Sequence, residues 1–228
     1  MTGGALYRGS MIDRIRRWST RDWSGRDLAT IALLAAAVFL GLLILNRLGL
    51  TDPVDLRLAR TVQTHYITRL GRIAAMSAFA GDVVVTGVIA SGLVLLLLTW
   101  GRGLRALAPL AIVVVSVIEL IGKGPLRYQP SPDEYVRAAT EILATGETAL
   151  VVQSFPSGHV ARVAFLAVMI STLVPNLAIR VTLWVPVGAT MRAQVYVGAH
   201  YPSDTVGGLA LGIACGTAVV PWLRAGRG

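Results

Sequence analysis

The chain has one cysteine, one lysine and little charge: Cys215 is its sole thiol, Lys123 its sole lysine, and only 14% of its 228 residues are charged. A lone cysteine excludes an intrachain disulfide, and its position inside the last apolar run reads as packing, which leaves the redox compartment open. So few charges, beside 54% hydrophobic residues and a mean hydropathy of +0.66, exclude an ordinary water-soluble domain of this length. The sequence carries no internal repeat and no low-complexity tract. Its first 26 residues hold Arg8, Arg14, Arg16, Arg17, Arg21 and Arg26 but no short apolar core and no small-residue cleavage site. They read as a basic cytoplasmic leader, not a signal peptide.

What the chain has in quantity is apolar runs. Crossing about 30 Å of hydrocarbon takes roughly 20 apolar residues, and runs that reach or approach this length predict spans at 28–47, 82–100, 104–122, 158–175, 180–198 and 205–223. The expected fold is all-α, a polytopic membrane bundle of six transmembrane helices, with a leader over 1–27, one membrane domain over 28–223 and a tail over 224–228. Six spans place the leader, Arg102, Arg105, Arg180, Arg224 and Arg227 on one side, which arginine bias makes cytoplasmic, with both termini there. The net charge of +9 raises nucleic acid as a partner, yet the arginines sit beside apolar spans and form no basic domain. Anionic lipid headgroups and the bilayer are the expected partners, with no nucleic acid; the sequence sets no oligomeric state.

Two connections fall on the opposite, outer side. In the first, about 51–80, Ala59, Val62, Tyr66, Leu70 and Ile73 recur at helical spacing among Arg57, Arg60, Arg69 and Arg72. This predicts an amphipathic helix at the interface, with basic side chains reaching toward lipid phosphates and His65 as an ordinary interfacial side chain. The second, Gly124 to Pro156, holds Pro125, Pro130 and Pro132, then a short helix near Asp133–Leu143, then Gly146. A connection this long is usually functional, and it is placed to cover a pocket.

The reactive side chains collect at that outer boundary. Lys123 stands where the third span ends, Ser157, Gly158 and His159 where the fourth begins, His200 after the fifth and Asp204 at the opening of the sixth. Ser154-Phe155-Pro156-Ser157-Gly158-His159 reads as a helix start, with serine available as a cap and glycine letting backbone approach an anion. The exposed amides and partial positive charge of such a terminus favour phosphate. Asp204 lies four residues after His200, a pairing that fixes a histidine's tautomer and supports the charge it gains as a nucleophile. His159 is suited to protonating a departing oxygen.

These residues resemble the motifs of the type 2 phosphatidic acid phosphatase superfamily: a Lys/Arg-Pro motif, then Pro-Ser-Gly-His, then Ser-Arg, five residues, His, three residues and Asp. Pro156 to His159 matches outright, and His200 with Asp204 matches the end of the third motif. The resemblance runs over about 123–204 and implies a six-helix lipid phosphate phosphatase with its active site on the outer face. It further implies that His200 attacks phosphorus, Asp204 orients His200 and His159 protonates the leaving lipid oxygen, after which water cleaves the phosphohistidine. Lys123, Ser157 and the Gly158 backbone would hold the phosphoryl oxygens, with no metal and no cofactor. A bacterial inner membrane fits the short, compact, arginine-rich chain.

Two guanidiniums of the family pattern are missing. In Lys123-Gly124-Pro125-Leu126-Arg127-Tyr128-Gln129-Pro130 the best match needs a one-residue gap, keeps Arg127, and puts Gln129 where a second arginine belongs. Ala193-Gln194 occupies the Ser-Arg position of the third motif. Glutamine donates hydrogen bonds without charge, so binding of a dianion calls for another cation. Arg162 and Arg192 are the candidates, and Arg162, one turn after His159, is preferred; its bland reading is a structural ion pair. Glu119, four residues before Lys123, is placed to pair with it on one helix face. The expected substrate-contacting set is therefore Lys123, Arg127, Gln129, Ser157, Gly158, Arg162 and Gln194. Hydrolysis of a polyprenyl pyrophosphate, phosphatidic acid or phosphatidylglycerol phosphate is the leading expectation. Phosphoryl or headgroup transfer to an alcohol and a catalytically silent lipid binder are the alternatives.

Overall fold

The computed structural model describes residues 24–63, 74, 76, 77, 79–123 and 154–225. The Ser24 hydroxyl accepts from the Asp27 amide at 3.2 Å while the Asp27 carboxylate accepts from the Ser24 amide at 3.1 Å. This reciprocal cap satisfies two orphan donors and starts α1 (Gly25–Arg47). A turn at Gly49, with φ of 73°, leads to α2 (Asp52–Gln63). Asp82 caps α3 (Val83–Thr99) by accepting from the Val84 and Val85 amides at 2.7 and 3.3 Å. A 3₁₀ stretch (Gly103–Ala111) containing Pro109 runs into α4 (Ile112–Gly122). Then come α5 (Gly158–Leu173), α6 (Leu177–Thr182), α7 (Trp184–Tyr196) and α8 (Pro202–Arg224). Every regular element among the described residues is helical, as expected.

Prolines account for the departures from the expected spans. Val174, which precedes Pro175, is extended with ψ of 123°, so α5 stops at Leu173 and not at 175. The expected span over 180–198 is divided, with Leu183 ending α6 and opening α7. Pro186 then falls in the first turn of α7, where a missing amide is harmless; in one continuous helix it would leave a carbonyl a turn back without its partner. At about 1.5 Å per residue, α1 and α8 with 23 residues each reach roughly 35 Å, and the 20-residue run Gly103–Gly122 roughly 30 Å. These three are long and apolar enough to cross a membrane, whereas α3 and α5 are apolar but shorter. Of the six expected spans, three have crossing length and composition, two are shorter and one is divided.

The distribution of side chains suits a lipid solvent. Leu33 and Val84 are 71% exposed and Ile121 72%, while the interior is rich in small residues such as Ala90, Ala106, Ala108, Ala161 and Ala164. Hiding leucine from hydrocarbon gains nothing, so helix association there depends on close contact, which small side chains permit. Helix α8 is the hub and packs most extensively along α1 and α5. A Cβ on Gly208 would lie 2.2 Å from the Ser157 carbonyl oxygen, and one on Gly212 2.3 Å from that of Ala161, so α8 rests directly on the α5 backbone.

That packing fixes which termini meet. At one end Leu28 of α1 clusters with Val168 of α5 and Val220 of α8. At the other, the Arg47 guanidinium closing α1 donates to the Gly122 carbonyl closing α4, and Gly122 abuts Pro156 just before α5. Helix α2 lies over the same end and packs on α7 and α8, with Asp55 and Ala59 buried and Arg57 and Arg60 exposed. It covers the start of the expected amphipathic segment. His65, Tyr66, Arg69, Leu70, Arg72 and Ile73 lie outside the described residues, as do the leader up to 23 and the connection over 124–153 with Arg127 and Gln129.

Candidate active site

His200 owes its position to the way α7 ends. Gly198, with φ of 75°, lets the chain reverse so that the Ala199 and Gly198 amides reach back to the Gln194 and Val195 carbonyls at 3.0 and 3.2 Å. The His200 amide also donates to the Gln194 carbonyl, at 3.1 Å. Pro202 then opens α8, its fixed φ suiting a first helical position. One turn into α8 the Asp204 carboxylate reaches back to the Tyr201 amide at 2.7 Å, and the Asp204 carbonyl accepts from the Ser157 amide at 3.0 Å. The second contact joins the two histidine-bearing segments through backbone alone.

Asp204 is fully buried and His200 nearly so, and the His200 Nδ1 stands 3.7 Å from Asp204 Oδ2. That distance is beyond a hydrogen bond but close enough for the carboxylate to face the ring directly. His200 Nδ1, Asp204 Oδ1 and the hydroxyls of Ser154 and Ser157 are buried without hydrogen-bond partners among the described residues. Unsatisfied buried polar atoms are uncommon, and here four of them lie in two segments that meet. Ser157 holds the N-cap position of α5, as expected, but its hydroxyl makes no cap bond, which corrects the reading of that serine as a cap.

The charged part of the site is centred on Glu119. One carboxylate oxygen takes Lys123 Nζ at 2.7 Å and the other takes Arg162 Nη1 at 2.7 Å, while Arg162 Nε donates to the Gly81 carbonyl at 3.0 Å. The spacing-based Glu119–Lys123 pair is therefore present. Arg162 is also in the ion pair that was its bland reading, which fixes its guanidinium one turn into α5. A Cβ on Gly158 would fall 2.0 Å from this carboxylate, so the glycine leaves the space on its Cβ side to Glu119. His159, half-buried, lies within Coulombic reach of Arg162, His200, Glu119 and Lys123.

Of the side chains singled out in the sequence, Lys123, Ser157, Gly158, His159, Arg162, Gln194, His200 and Asp204 gather at one end of the bundle. Gln194 is buried and acts on His200 through its carbonyl, whereas Arg192 is exposed. Sequence reasoning missed Gly81, whose added Cβ would lie 2.6 Å from the His159 carbonyl oxygen and 2.7 Å from its Cβ. It also missed Asp55. This carboxylate accepts from the Ser203 amide at 2.9 Å and from the Ser203 hydroxyl at 2.6 Å, directly beside Asp204. Burial pushes the Asp55 carboxyl up and Asp204 adds to the effect, while the Ser203 hydroxyl and amide pull it down. A signal existed, since Asp55 is one turn before Ala59 and so puts an acid on the apolar face of α2.

The model of the PAP2 superfamily matches residues 107–227, more than half of the chain, and that stretch holds every site residue above except Asp55 and Gly81. No curated protein sequence matches. Among solved structures, the chain is similar to a transmembrane PAP2 type phosphatidylglycerolphosphate phosphatase from Bacillus subtilis, with TM-score 0.67 and 16% identity over 84% of this chain and 94% of that one. It is also similar to LpxE of Aquifex aeolicus, with TM-score 0.55 and 21% identity over 74% of this chain and 95% of the other.

Proposed function

Since this chain belongs to the PAP2 superfamily and is an integral membrane protein, we propose that it hydrolyses an amphiphilic phosphate or pyrophosphate through a phosphohistidine formed on His200. The observation that carries the reading is the junction of two segments. The Ser157 amide bound to the Asp204 carbonyl at 3.0 Å holds the start of α5, with His159, against the start of α8, with Asp204 and the preceding His200. On this reading the three act on one phosphoryl group as acid, nucleophile and orienting carboxylate.

In this mechanism His200 attacks phosphorus through Nε2, and the bond from phosphorus to the lipid oxygen breaks. The electron pair leaves on that oxygen, which takes a proton from His159. Asp204 stabilises the charge that the His200 ring acquires, which draws the 3.7 Å gap toward hydrogen-bonding distance. Water then attacks phosphorus, His159 takes its proton, and the phosphorus–nitrogen bond breaks to release phosphate. Lys123, the Ser157 hydroxyl and the Gly158 backbone hold the phosphoryl oxygens, with Arg162 adding fixed positive charge and Arg127, Gln129 and Gln194 filling the remaining family positions. The lipid reaches the site sideways between helices, and the site end of the bundle faces the outer side of an inner membrane, with both termini cytoplasmic.

The test is release of inorganic phosphate in detergent micelles with chelator present. The panel is phosphatidic acid, phosphatidylglycerol phosphate and a polyprenyl pyrophosphate, and the native chain is compared with His200→Ala. Release that persists in chelator and falls by at least about 10³-fold in the variant is expected, the scale on which a lost nucleophile is felt. Release that His200→Ala leaves intact would refute the mechanism, and product appearing only with an added alcohol would favour transfer.

A further inference from the structure

We propose that Asp55 is a positioning residue for the reaction: from α2 it clamps the first turn of α8 and thereby sets Asp204 and His200 relative to each other. The inference rests on the reading of His200 as nucleophile. Ser203 is the second residue of α8, so its amide is one of the orphan donors of a helix start. The donor is satisfied across 148 residues of sequence by Asp55, which takes the amide on Oδ1 and the hydroxyl on Oδ2. A carboxylate offers one acceptor for each donor, and its charge suits a helix N-terminus. Asp55 is 2% exposed and Asp204 fully buried, so water does not substitute for the clamp at little cost.

The segment carrying the chemistry is also held elsewhere. The Gln194 carbonyl holds the His200 amide, the Ser157 amide holds the Asp204 carbonyl, and the Asp204 carboxylate takes the Tyr201 amide within the turn. Further along, Gly208 seats α8 on the Ser157 backbone. The Ser203 clamp, one residue before Asp204, adds a tie from a separate helix to this first turn, where a small change in rotation alters how Asp204 faces His200. Asp55 touches neither histidine through any described hydrogen bond, so its geometric effect runs through Ser203, and misplacement by about 1 Å is enough to cost on the order of 10²-fold in rate.

Asparagine separates geometry from charge. With its oxygen on the Ser203 amide and its NH₂ donating to the Ser203 hydroxyl, Asp55→Asn keeps both bonds, whereas Asp55→Ala loses both. The variants Asp55→Ala, Asp55→Asn, Ser203→Ala and His200→Ala are compared with the native chain on whichever panel lipid is turned over fastest, using protein recovered folded by size exclusion. Asp55→Ala should lower kcat about 10- to 100-fold with KM within about 2-fold, and Asp55→Asn should stay within about 3-fold of native. Ser203→Ala should lower kcat in the same direction, and adding Asp55→Ala to it should cost less than Asp55→Ala costs alone, because the hydroxyl contact is already lost. Native kcat in Asp55→Ala overturns the proposal, as does a KM effect alone. Where Asp55→Ala does not fold, native kcat in Ser203→Ala overturns it. Activity surviving in His200→Ala, or no release from any lipid, sinks the nucleophile reading instead, so the two failures are distinct.

Discussion

Glu119 holds two cations on one carboxylate, and its neighbour Gly158 leaves no room for a methyl group, so the two positions are coupled. Glu119→Ala strands Lys123 and Arg162 near the bundle interior, which should cost about 3 kcal/mol of stability. Gly158→Ala drives a Cβ into the same carboxylate and should break the same pairs. Once the carboxylate is gone, however, the methyl meets nothing charged, so Gly158→Ala should cost far less in the Glu119→Ala background. Thermal unfolding of both singles and the double in detergent measures this coupling, and strict additivity would mean the carboxylate is not the obstacle. Asp55 gives a pH signature. Its carboxyl is raised above the usual 3.8 in the fold, so between 3.8 and the raised value the native state holds more protons than the unfolded chain. Its contribution is therefore fully present below 3.8 and is lost as pH rises through the folded value. The Tm of the native chain relative to Asp55→Asn should accordingly be highest in acid and decline toward neutrality; a pH-independent difference would contradict the burial argument. Both histidines, Asp204 and Lys123 were legible because each marks a helix end and parity brings those ends together. Gly81 was not, because its contact with Arg162 is made across 81 residues and no local spacing encodes it; for Asp55, spacing marked an acid on the apolar face of α2 but not its partner Ser203, 148 residues away.

At the scale of elements, the contact between α5 and α8 decides whether the two histidine segments meet. Gly208 and Gly212 let α8 lie on the α5 backbone, and backbone does not yield as a side-chain tip does. Gly212→Ala should therefore separate the helices, lower stability by about 1 to 3 kcal/mol and reduce phosphate release as the Ser157–Asp204 junction opens. Gly188 in α7 supplies the opposite sign, since a Cβ there meets nothing within 4 Å. Gly188→Ala should be neutral or stabilising by up to about 1 kcal/mol, because alanine is the better helix former. Paired melting curves and turnover decide the matter, and equal effects at the two glycines would remove the packing argument. The glycine stripe shows why part of the fold was hard to read. A helix in lipid is apolar on every side, so the periodicity that reveals the inward face of a soluble helix is absent, and close packing leaves only scattered small residues as its trace. Apolar length did locate α1, α3 and α8 to within a few residues. It misjudged 180–198, where hydropathy outweighed Pro186.

The whole molecule has two unlike ends, and their difference bears on orientation. Leu28, Val168 and Val220 mark the end where α1 begins and where α5 and α8 finish, and Arg26 and Arg224 belong to it by their places on α1 and α8. Arg180 stays close to the finish of α5, since its Nε donates to the Val174 carbonyl at 2.6 Å. Arg102 and Arg105 join them, because the run Gly103–Gly122 ends at the site and so begins opposite it. Among the described residues the site end has Arg47, Lys123 and Arg162, which are taken up by the Gly122 carbonyl or by Glu119, together with the exposed Arg57 and Arg60 on α2 and the exposed Arg192 toward the finish of α7. Arginines directly flanking the crossing helices weigh most in membrane insertion, whereas those on a helix lying over one end are placed to reach lipid phosphates. The site end should thus face outward. Leu50, 61% exposed just after α1, reports that end, and exposed Ala225 after α8 reports the other. With Cys215 replaced by alanine, single cysteines at these two positions should differ toward a membrane-impermeant maleimide applied to intact spheroplasts. Leu50→Cys should label at once and Ala225→Cys only after permeabilisation. The reverse pattern would put the site on the cytoplasmic side, and its lipid would then have to come from the inner leaflet.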